Sequence, residues 1–206
     1  MTNPLSGLFD DGAPRQLLPH DGEAWLHPWV LGDSRAGDVF DEVMNEVDWE
    51  SRSIILFGRE TPQPRLAAWY GDEPYTYSNL TLHARPMPPS LDRLRTRCED
   101  LSGVRYNSVL ANLYRTGADS MGAHADDERE LGPDPVIASL SLGGVRTFRM
   151  RHRSTGEKVD IDLEPGSLLV MRGPMQHFWM HEIPKTRRSV GPRINLTYRF
   201  IHPVVR

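Results

Sequence analysis

The sequence predicts one mainly β domain of the α+β class, a sandwich or jelly roll preceded by two helices. Three observations predict this class. The chain has 206 residues, which suits a single domain with its own core. Two segments before Gly103 carry apolar residues at helical spacing. After Gly103, short apolar runs alternate with turn residues, which is typical of sandwiches and jelly rolls.

The first part of the chain divides into an arm and a helix. Residues 1–30 have little periodicity and several Pro and Gly, so we expect an irregular N-terminal arm, followed by a single domain over residues 31–206. Apolar residues recur at helical spacing from Asp33 to Trp49. We therefore predict a helix there, with Asp33 or Ser34 as its N-cap.

The next elements are a short strand, a turn-rich segment and a second helix. Ser53–Phe57 predicts a strand, and Arg65–Tyr77 is rich in aromatic and turn residues. The second helix runs from about Ser90 to Leu101, and Gly103 is expected to end it. These two helices support the strands that follow.

Seven apolar runs predict the strands of a β-roll over residues 104–202, approximately. They are Ser108–Arg115, Val136–Leu142, Arg146–Met150, Val159–Leu163, Ser167–Met171, Phe178–Ile183 and Arg193–Ile201.

Composition limits the class of protein. No apolar run approaches the roughly 20 residues that a membrane helix needs. The segment Met1–Asp10 lacks the pattern of a secretory signal, so we expect a cytoplasmic protein, and we predict a monomer. The single cysteine, Cys98, excludes an internal disulfide and is expected to be a buried thiol beside Leu94 and Leu101.

The net charge of −4 argues against a strongly basic nucleic-acid-binding protein. Three basic clusters nevertheless occur, and a local patch on an acidic protein can hold phosphates. Taken alone, each cluster is more simply interpreted as solvated surface charge. The clusters are Arg93, Arg95 and Arg97; Arg149, Arg151, His152 and Arg153; and Lys185, Arg187 and Arg188.

A metal site is indicated by the sequence MGAHADDE at residues 121–128. On an extended chain, His124 and Asp126 point to the same side. An imidazole and a carboxylate are two ligands of the 2-His-1-carboxylate triad that holds non-haem Fe(II). Such a pair also occurs by chance in surface turns, and zinc competes for any His/Asp set. The third ligand stays open from the spacing, between His152, His177, His181 and His202.

The last predicted strand alternates polar and apolar residues. Arg193, Asn195, Thr197 and Arg199 fall on one face, and Ile194, Leu196, Tyr198 and Phe200 on the other. One interpretation is an edge strand with its polar face in water. The other is the wall of a pocket for a dicarboxylate, because arginine pairs with a carboxylate through two hydrogen bonds.

Together these stretches resemble the AlkB family of DNA and RNA dealkylases. The similarity runs in family order over about 140 residues and is closest to the branch that acts on methylated bases. The matching segments are PRLAAWYGD (64–72), NSVLANLYRTGADSMGAHADDE (107–128), IASLSLGG (137–144), WMHEIP (179–184) and PRINLTYR (192–199).

The resemblance implies a double-stranded β-helix in which His124, Asp126 and His181 hold iron. It selects His181 over His177. It also implies that Asn112, Tyr114, Arg193, Asn195 and Arg199 bind 2-oxoglutarate, with Arg193 on the distal carboxylate. Arg199 lies about 20 Å from Arg193 along a straight strand, so both can reach one small ligand only if the strand bends or the side chains converge.

The implied reaction consumes 2-oxoglutarate and O₂, and releases succinate, CO₂ and formaldehyde while it demethylates an alkylated base. The base must be flipped or single-stranded, and flipped bases stack on aromatic rings. The resemblance places a nucleotide-recognition lid at residues 60–85, approximately, with Trp69, Tyr70, Tyr75 and Glu128 as substrate-binding residues. Packing of helix against roll is the alternative for the aromatic rings.

Two other functions compete with nucleic-acid demethylation. The same oxygenase chemistry could act on a protein or a small molecule. A jelly-roll module with a structural metal and no turnover is the third hypothesis, but such a module needs no arginine wall for a dicarboxylate.

Overall fold

The computed structural model describes residues 12–56, 59–72, 75–77 and 80–203. The strands within these ranges are β1 (Arg15–Gln16), β2 (Glu23–His27), β3 (Glu50–Leu56), β4 (Arg59–Gly71), β5 (Tyr75–Tyr77), β6 (Leu80–Leu82), β7 (Ser108–Tyr114), β8 (Met121–His124), β9 (Ile137–Gly143), β10 (Arg146–His152), β11 (Lys158–Leu163), β12 (Leu168–Arg172), β13 (Trp179–Ile183) and β14 (Arg193–Arg199). The helices are α1 (Asp33–Glu46), α2 (Pro89–Ser102) and α3 (Met175–Phe178), and a 3-10 turn spans Arg129–Leu131.

Two antiparallel sheets form the body of the domain. The main sheet has the strand order β1-β2-β12-β9-β14-β7-β4-β3, and the minor sheet has the order β11-β10-β13-β8. Side chains from both sheets share one apolar cluster, in which Tyr114 and Leu169 of the main sheet join Met150 and Ile183 of the minor sheet. The sheets therefore pack face to face, as in a jelly roll. The strands β5 and β6 form a separate hairpin.

The two long helices cover the other face of the main sheet. Val43 of α1 and Leu94 of α2 share a buried cluster with Ile194, Leu196 and Tyr198 of β14. The main sheet is thus covered by helices on one face and by the minor sheet on the other. Its inner face, towards the minor sheet, carries the polar side chains of β14.

Both predicted helices are confirmed, with small shifts at their ends. Gly103 follows α2 in the left-handed conformation, with φ of 76°, which favours glycine. Gly32 occupies the cap position of α1, so the predicted cap at Asp33 or Ser34 was one or two residues late. Cys98 is buried as predicted, and burial raises the pKa of its thiol.

The prediction of an irregular N-terminal arm is wrong for residues 15–16 and 23–27. Strand β2 pairs in antiparallel register with β12 and joins the main sheet. Ala24 and Leu26 are buried, whereas Glu23, Trp25 and His27 are half-buried. This alternation covers only five residues, which is too short to stand out among the Pro and Gly around it.

The segment predicted as turn-rich is mostly a strand. Strand β4 runs for 13 residues and pairs with β3 on one side and β7 on the other. It therefore takes up the first half of the expected lid, and strands β5 and β6 of the second half form a separate two-stranded sheet. Among the described residues, no helix is long and apolar enough to cross a membrane.

Candidate metal centre and its pocket

Three predicted ligands meet between the two sheets. His124 ends β8, and His181 lies directly opposite it on β13. Asp126 follows two residues after β8, and its backbone N–H donates to Oε1 of Gln176 at 2.9 Å. One ligand atom from each of His124, Asp126 and His181 lies within 4.8 Å of the other two. The structure thus brings together the set that the resemblance implied.

Hydrogen bonding leaves the ligand atoms of this centre free. Nδ1 of His124 lies 2.9 Å from the carbonyl oxygen of Gly122, which only accepts, so Nδ1 carries the proton. Nε2 then keeps its lone pair, 3.6 Å from Oδ1 of Asp126. That Oδ1 is buried and has no hydrogen-bond partner among the described residues. A lone pair and a bare carboxylate oxygen therefore face one point.

Burial sets the protonation of the two imidazoles. It lowers the pKa of His181 to about 3, helped by the nearby His124 ring, and it also lowers the pKa of His124. Both rings are therefore neutral at pH 7, the form that binds metals. For Asp126, burial acts to raise the pKa, but the charge of Arg199, the two neighbouring imidazoles and the hydrogen bonds from Arg199 together outweigh it, and the pKa falls to about 2.

Arg199 holds the metal-facing carboxylate. Its Nε and Nη2 donate to Oδ2 of Asp126 at 3.0 and 2.7 Å, and both side chains are almost fully buried. Because Oδ2 is occupied, Oδ1 is the oxygen left for a metal. Arg199 was predicted to bind 2-oxoglutarate; it lines the pocket and donates to the carboxylate of Asp126, and its contact with the co-substrate stays a prediction.

Strand β14 supplies the wall of the pocket. It lies between β9 and β7 at the centre of the main sheet, and all seven of its residues are buried. The interpretation as a solvated edge strand is therefore excluded. Arg193, Asn195, Thr197 and Arg199 line a pocket that also contains His124, Asp126 and His181.

Arg193 is a buried cation at the end of this pocket. Nη2 donates to the hydroxyl of Ser141 at 2.9 Å, and the guanidinium lies 5.3 Å from the centre of the Tyr114 ring. Nε and Nη1 have no hydrogen-bond partner among the described residues, and no described carboxylate forms an ion pair with Arg193. Burial lowers its pKa to about 10. An unpaired buried guanidinium calls for an anionic ligand.

The other predicted 2-oxoglutarate residues also line the pocket. The centre of the Tyr114 ring lies 5.3 Å from the guanidinium of Arg193 and 5.6 Å from that of Arg146. The amide of Asn195 is engaged within the sheet, because Nδ2 donates to Ser139 at 2.8 Å and Oδ1 accepts from Thr197. Direct contacts of these residues with the co-substrate stay predictions.

Arg65 lies behind the pocket wall, bonded to a pocket residue, and the sequence interpretation missed it. It is buried in β4, and its Nε donates to Oδ1 of Asn112 at 2.8 Å. Its charge contributes, after burial, to the lowered pKa of His124. The two-residue alternation of a strand could have revealed Arg65, because Arg65, Ala67 and Trp69 point to the same face of β4. That inference requires the segment to be recognised as a strand, whereas the sequence analysis described it as turn-rich.

The predicted substrate-binding residues are placed less uniformly. Tyr70 is buried in the core under the helices, and its hydroxyl accepts a hydrogen bond from the backbone N–H of Asp48. Trp69 is buried on the other face beside Leu110, a pocket residue. Glu128 is half-buried before the 3-10 turn, and the side chain of Tyr75 lies outside the described residues. For all four of these residues, substrate contact stays a prediction.

A second cluster of His and Asp lies outside the pocket. Ligand atoms of His20, Asp21 and His152 also fall within 4.8 Å of one another. Nδ1 of His20 is 2.9 Å from Oδ2 of Asp21, and Nε2 is 3.1 Å from Oε2 of Glu157. Nε2 of His152 is 3.1 Å from the same oxygen of Asp21. The cluster joins the N-terminal arm to the β10–β11 hairpin.

The family follows from comparison with known proteins. A model described as the 2OG-Fe(II) oxygenase superfamily matches residues 23–199, so the chain belongs to that superfamily. This superfamily implies Fe(II), 2-oxoglutarate and O₂ as cofactor and co-substrates. Among solved structures, that of OsALKBH1 shares the fold, with a TM-score of 0.64 and 14% identity over 90% of this chain and all of that chain.

Curated relatives narrow the family. The chain is 38% identical to the human DNA oxidative demethylase ALKBH2, over 96% of this chain and 81% of that protein. It is 41% identical to the human alpha-ketoglutarate-dependent dioxygenase alkB homolog 3, over 86% of this chain. The alignment spans 66% of the latter protein, just under two thirds of its length. The chain thus belongs to the AlkB family.

The residues of the pocket fit the two groups that the family implies. Two neutral imidazoles and one free carboxylate oxygen suit Fe(II) and leave coordination positions for other ligands. The unpaired guanidinium of Arg193 suits a carboxylate, and it lies in the same pocket as the metal ligands. A dicarboxylate that reaches from the metal to Arg193 would satisfy both ends.

Proposed function

We propose that this protein is an Fe(II)- and 2-oxoglutarate-dependent dioxygenase that oxidatively demethylates N-alkylated bases in nucleic acid, such as 1-methyladenine and 3-methylcytosine. The products are the repaired base, formaldehyde, succinate and CO₂. The protein acts as a monomer in this proposal, which a measured mass in solution would test.

One observation carries the proposal: the His124–Asp126–His181 centre and the unpaired, buried Arg193 line the same pocket. A structural metal site needs no cation for a second ligand, so a non-catalytic module does not explain Arg193. The nucleic-acid substrate is supported by the similarity to relatives named as a DNA oxidative demethylase and an alkB homolog.

The side chains of the chain prepare the site for this reaction. When bound, Fe(II) supplies the activation of O₂ and the oxidising chemistry at the methyl group. His124 and His181 bind it as neutral rings, and Arg199 fixes Asp126 so that one carboxylate oxygen faces it. Arg193 binds and orients the distal carboxylate of 2-oxoglutarate. Apolar side chains such as Leu110 and Phe148 line the pocket and exclude water.

A turnover assay tests the proposal. The iron-loaded protein is incubated with 2-oxoglutarate, O₂ and an oligonucleotide that carries 1-methyladenine or 3-methylcytosine. We expect loss of the methyl group with release of formaldehyde and succinate in equal amounts. Succinate without demethylation would favour a protein or small-molecule substrate. If iron is bound but no succinate forms, the assignment of the protein as a 2-oxoglutarate-dependent enzyme is contradicted.

The Arg193→Met variant tests the role of Arg193 separately. It removes the charge but keeps an apolar side chain of similar length, so the KM for 2-oxoglutarate should rise about 30-fold or more, because a buried charge pair loses one partner. Arg97→Met is the matched control, since Arg97 is exposed on α2. An unchanged KM for 2-oxoglutarate in the Arg193→Met variant would show that Arg193 does not bind the co-substrate.

A further inference from the structure

The metal ligand Asp126 lies in a segment without regular secondary structure. Strand β8 ends at His124, and residues 125–128 belong to no helix or strand. The described pairing between β8 and β13 reaches His124 and His181 but does not include Asp126. A sheet therefore holds the two histidine ligands, whereas the position of the carboxylate ligand depends on other contacts.

Gln176 supplies such a contact to the main chain of Asp126. Its Oε1 accepts the backbone N–H of Asp126 at 2.9 Å, and the residue is almost fully buried. A backbone N–H only donates, so the oxygen end of the amide must face Asp126. Nε2 then faces the sulfur of Met171 at 3.9 Å, and a thioether is a weak acceptor. The stronger of these two side-chain hydrogen bonds is therefore the one to the metal ligand.

The N-terminal segment holds the helical turn α3, which carries Gln176. Met175 of this turn is fully buried, and a Cβ added to Gly22 would lie 2.5 Å from the Cα of Met175. The loop before β2 therefore packs directly on α3. Trp179 follows α3, and its Nε1 donates to the carbonyl oxygen of His20 at 3.1 Å. Gln176 thus projects from a turn that is held at both of its ends.

Gln176 and Arg199 hold different parts of Asp126. Arg199 donates two hydrogen bonds to the carboxylate oxygen Oδ2, whereas Gln176 accepts one from the main chain. A bond to the carboxylate alone would leave the irregular backbone free to shift, and a bond to the backbone alone would leave the carboxylate free to rotate. The two contacts together fix Oδ1 relative to His181, which follows α3 on β13.

We infer that Gln176 is a positioning residue of the metal centre, which ties the irregular segment of Asp126 to the segment that carries His181. The inference rests on the proposed function, because it takes the centre to be an Fe(II) site. Residues that orient a ligand without touching the metal tune the metal affinity. The alternative is that Gln176 only satisfies a buried backbone N–H. That role would contribute to stability and leave the metal affinity unchanged.

Metal binding without turnover tests the inference. Gln176→Met keeps the length and burial of the side chain but removes the acceptor oxygen. Its Kd for Fe(II), measured by competition with a chelator in the absence of O₂ and 2-oxoglutarate, should rise about tenfold. The visible absorption bands of the Co(II)-loaded protein should also shift, because they report the coordination geometry. Gln176→Glu keeps an acceptor oxygen at the same place and should restore both readings to those of the wild-type protein.

The matched control is Tyr198→Phe. It also removes one buried hydrogen bond between a side chain and the main chain, because the hydroxyl of Tyr198 donates to the carbonyl oxygen of Leu91 at 2.8 Å. This bond lies on the face of the main sheet that the helices cover. Thermal midpoints of the metal-free proteins should fall in both Gln176→Met and Tyr198→Phe, but only Gln176→Met should change the Kd and the Co(II) bands.

The outcomes separate this inference from the proposed function. If Gln176→Met binds both metals like the wild-type protein, Gln176 has no positioning role and the enzyme assignment stands. If Tyr198→Phe weakens metal binding equally, or Gln176→Glu restores nothing, the loss does not come from the bond to Asp126 and the inference is contradicted. If the variants behave as expected but the iron-loaded wild-type protein forms no succinate, the proposed function fails and the positioning role of Gln176 remains.

Discussion

Two clusters in this protein contain the same residue types at similar distances, yet only one is arranged as a metal site. His124, Asp126 and His181 lie between the sheets, and His20, Asp21 and His152 lie at the edge, where His20 and Asp21 are exposed. In the inner cluster, the proton of His124 points away to a backbone carbonyl. In the outer cluster, protons point inward to the carboxylate.

The protons of the outer cluster follow from its hydrogen bonds. Nδ1 of His152 accepts from the backbone N–H of Thr155, so Nε2 carries the proton that faces Asp21. His20 has a carboxylate at each ring nitrogen, which it can satisfy at both only when doubly protonated. Distances alone therefore do not define a metal site; the direction of the lone pairs does.

The largest expected effect comes from breaking the inner cluster and sparing the outer one. Asp126→Asn, and likewise His124→Ala, should abolish turnover and remove the Fe(II) equivalent, because the charged ligand or a ring is lost. The Asp21→Asn variant should keep both its turnover and its bound Fe(II). Iron content and succinate release measure this. One equivalent of iron per chain is expected, and a second equivalent lost in Asp21→Asn would contradict the comparison.

A smaller effect is expected from the residue that aims the ligand. Arg199→Lys keeps the charge but loses the pair of hydrogen bonds to Oδ2 of Asp126. Iron affinity should fall about 10- to 100-fold, as for other residues that orient a ligand. Competition with a chelator measures it, and Arg149→Lys on the outer face is the control. An iron affinity equal to that of the wild-type protein would mean that the hydrogen bonds from Arg199 do not orient Asp126 for metal binding.

The smallest effect is a pH dependence in the outer cluster. Hydrogen bonds to Asp21 and then to Glu157 raise the pKa of His20 above 6.5. Its contribution to stability is therefore fully present below pH 6.5 and is lost as the pH rises through the raised pKa. Nuclear magnetic resonance titration should give a midpoint above 6.5, which Glu157→Gln lowers. An ordinary midpoint in the wild-type protein would contradict the double protonation.

Much of the pocket could be predicted because strand periodicity survives in the sequence. The alternation on β14 placed Arg193 and Arg199 on one face, and the structure shows that face buried. Arg193 and Arg199 stand at opposite ends of the strand and have different partners. Arg199 donates to Asp126, whereas Arg193 donates to Ser141. Sequence does not reveal which ligand each long side chain selects.

Other features depend on contacts that local sequence does not encode. His177 and His181 stood in one apolar run, but α3 interrupts it and leaves His177 exposed, 3.3 Å from Asp134. Tyr70 points to the core because β4 is a strand between two others, which fixes its face. Register and burial decide these cases, and both come from residues distant in the chain.

The position of β14 has a consequence for how the protein is made. This strand joins β9 to β7 in the middle of the main sheet, although it is formed by residues 193–199. As the ribosome releases the chain, the two halves of the sheet stay separate until this segment emerges. Pairing over such sequence separation is slow. Iron loading should therefore follow completion of the sheet, since Arg199 on this strand donates the two hydrogen bonds that orient the carboxylate of Asp126.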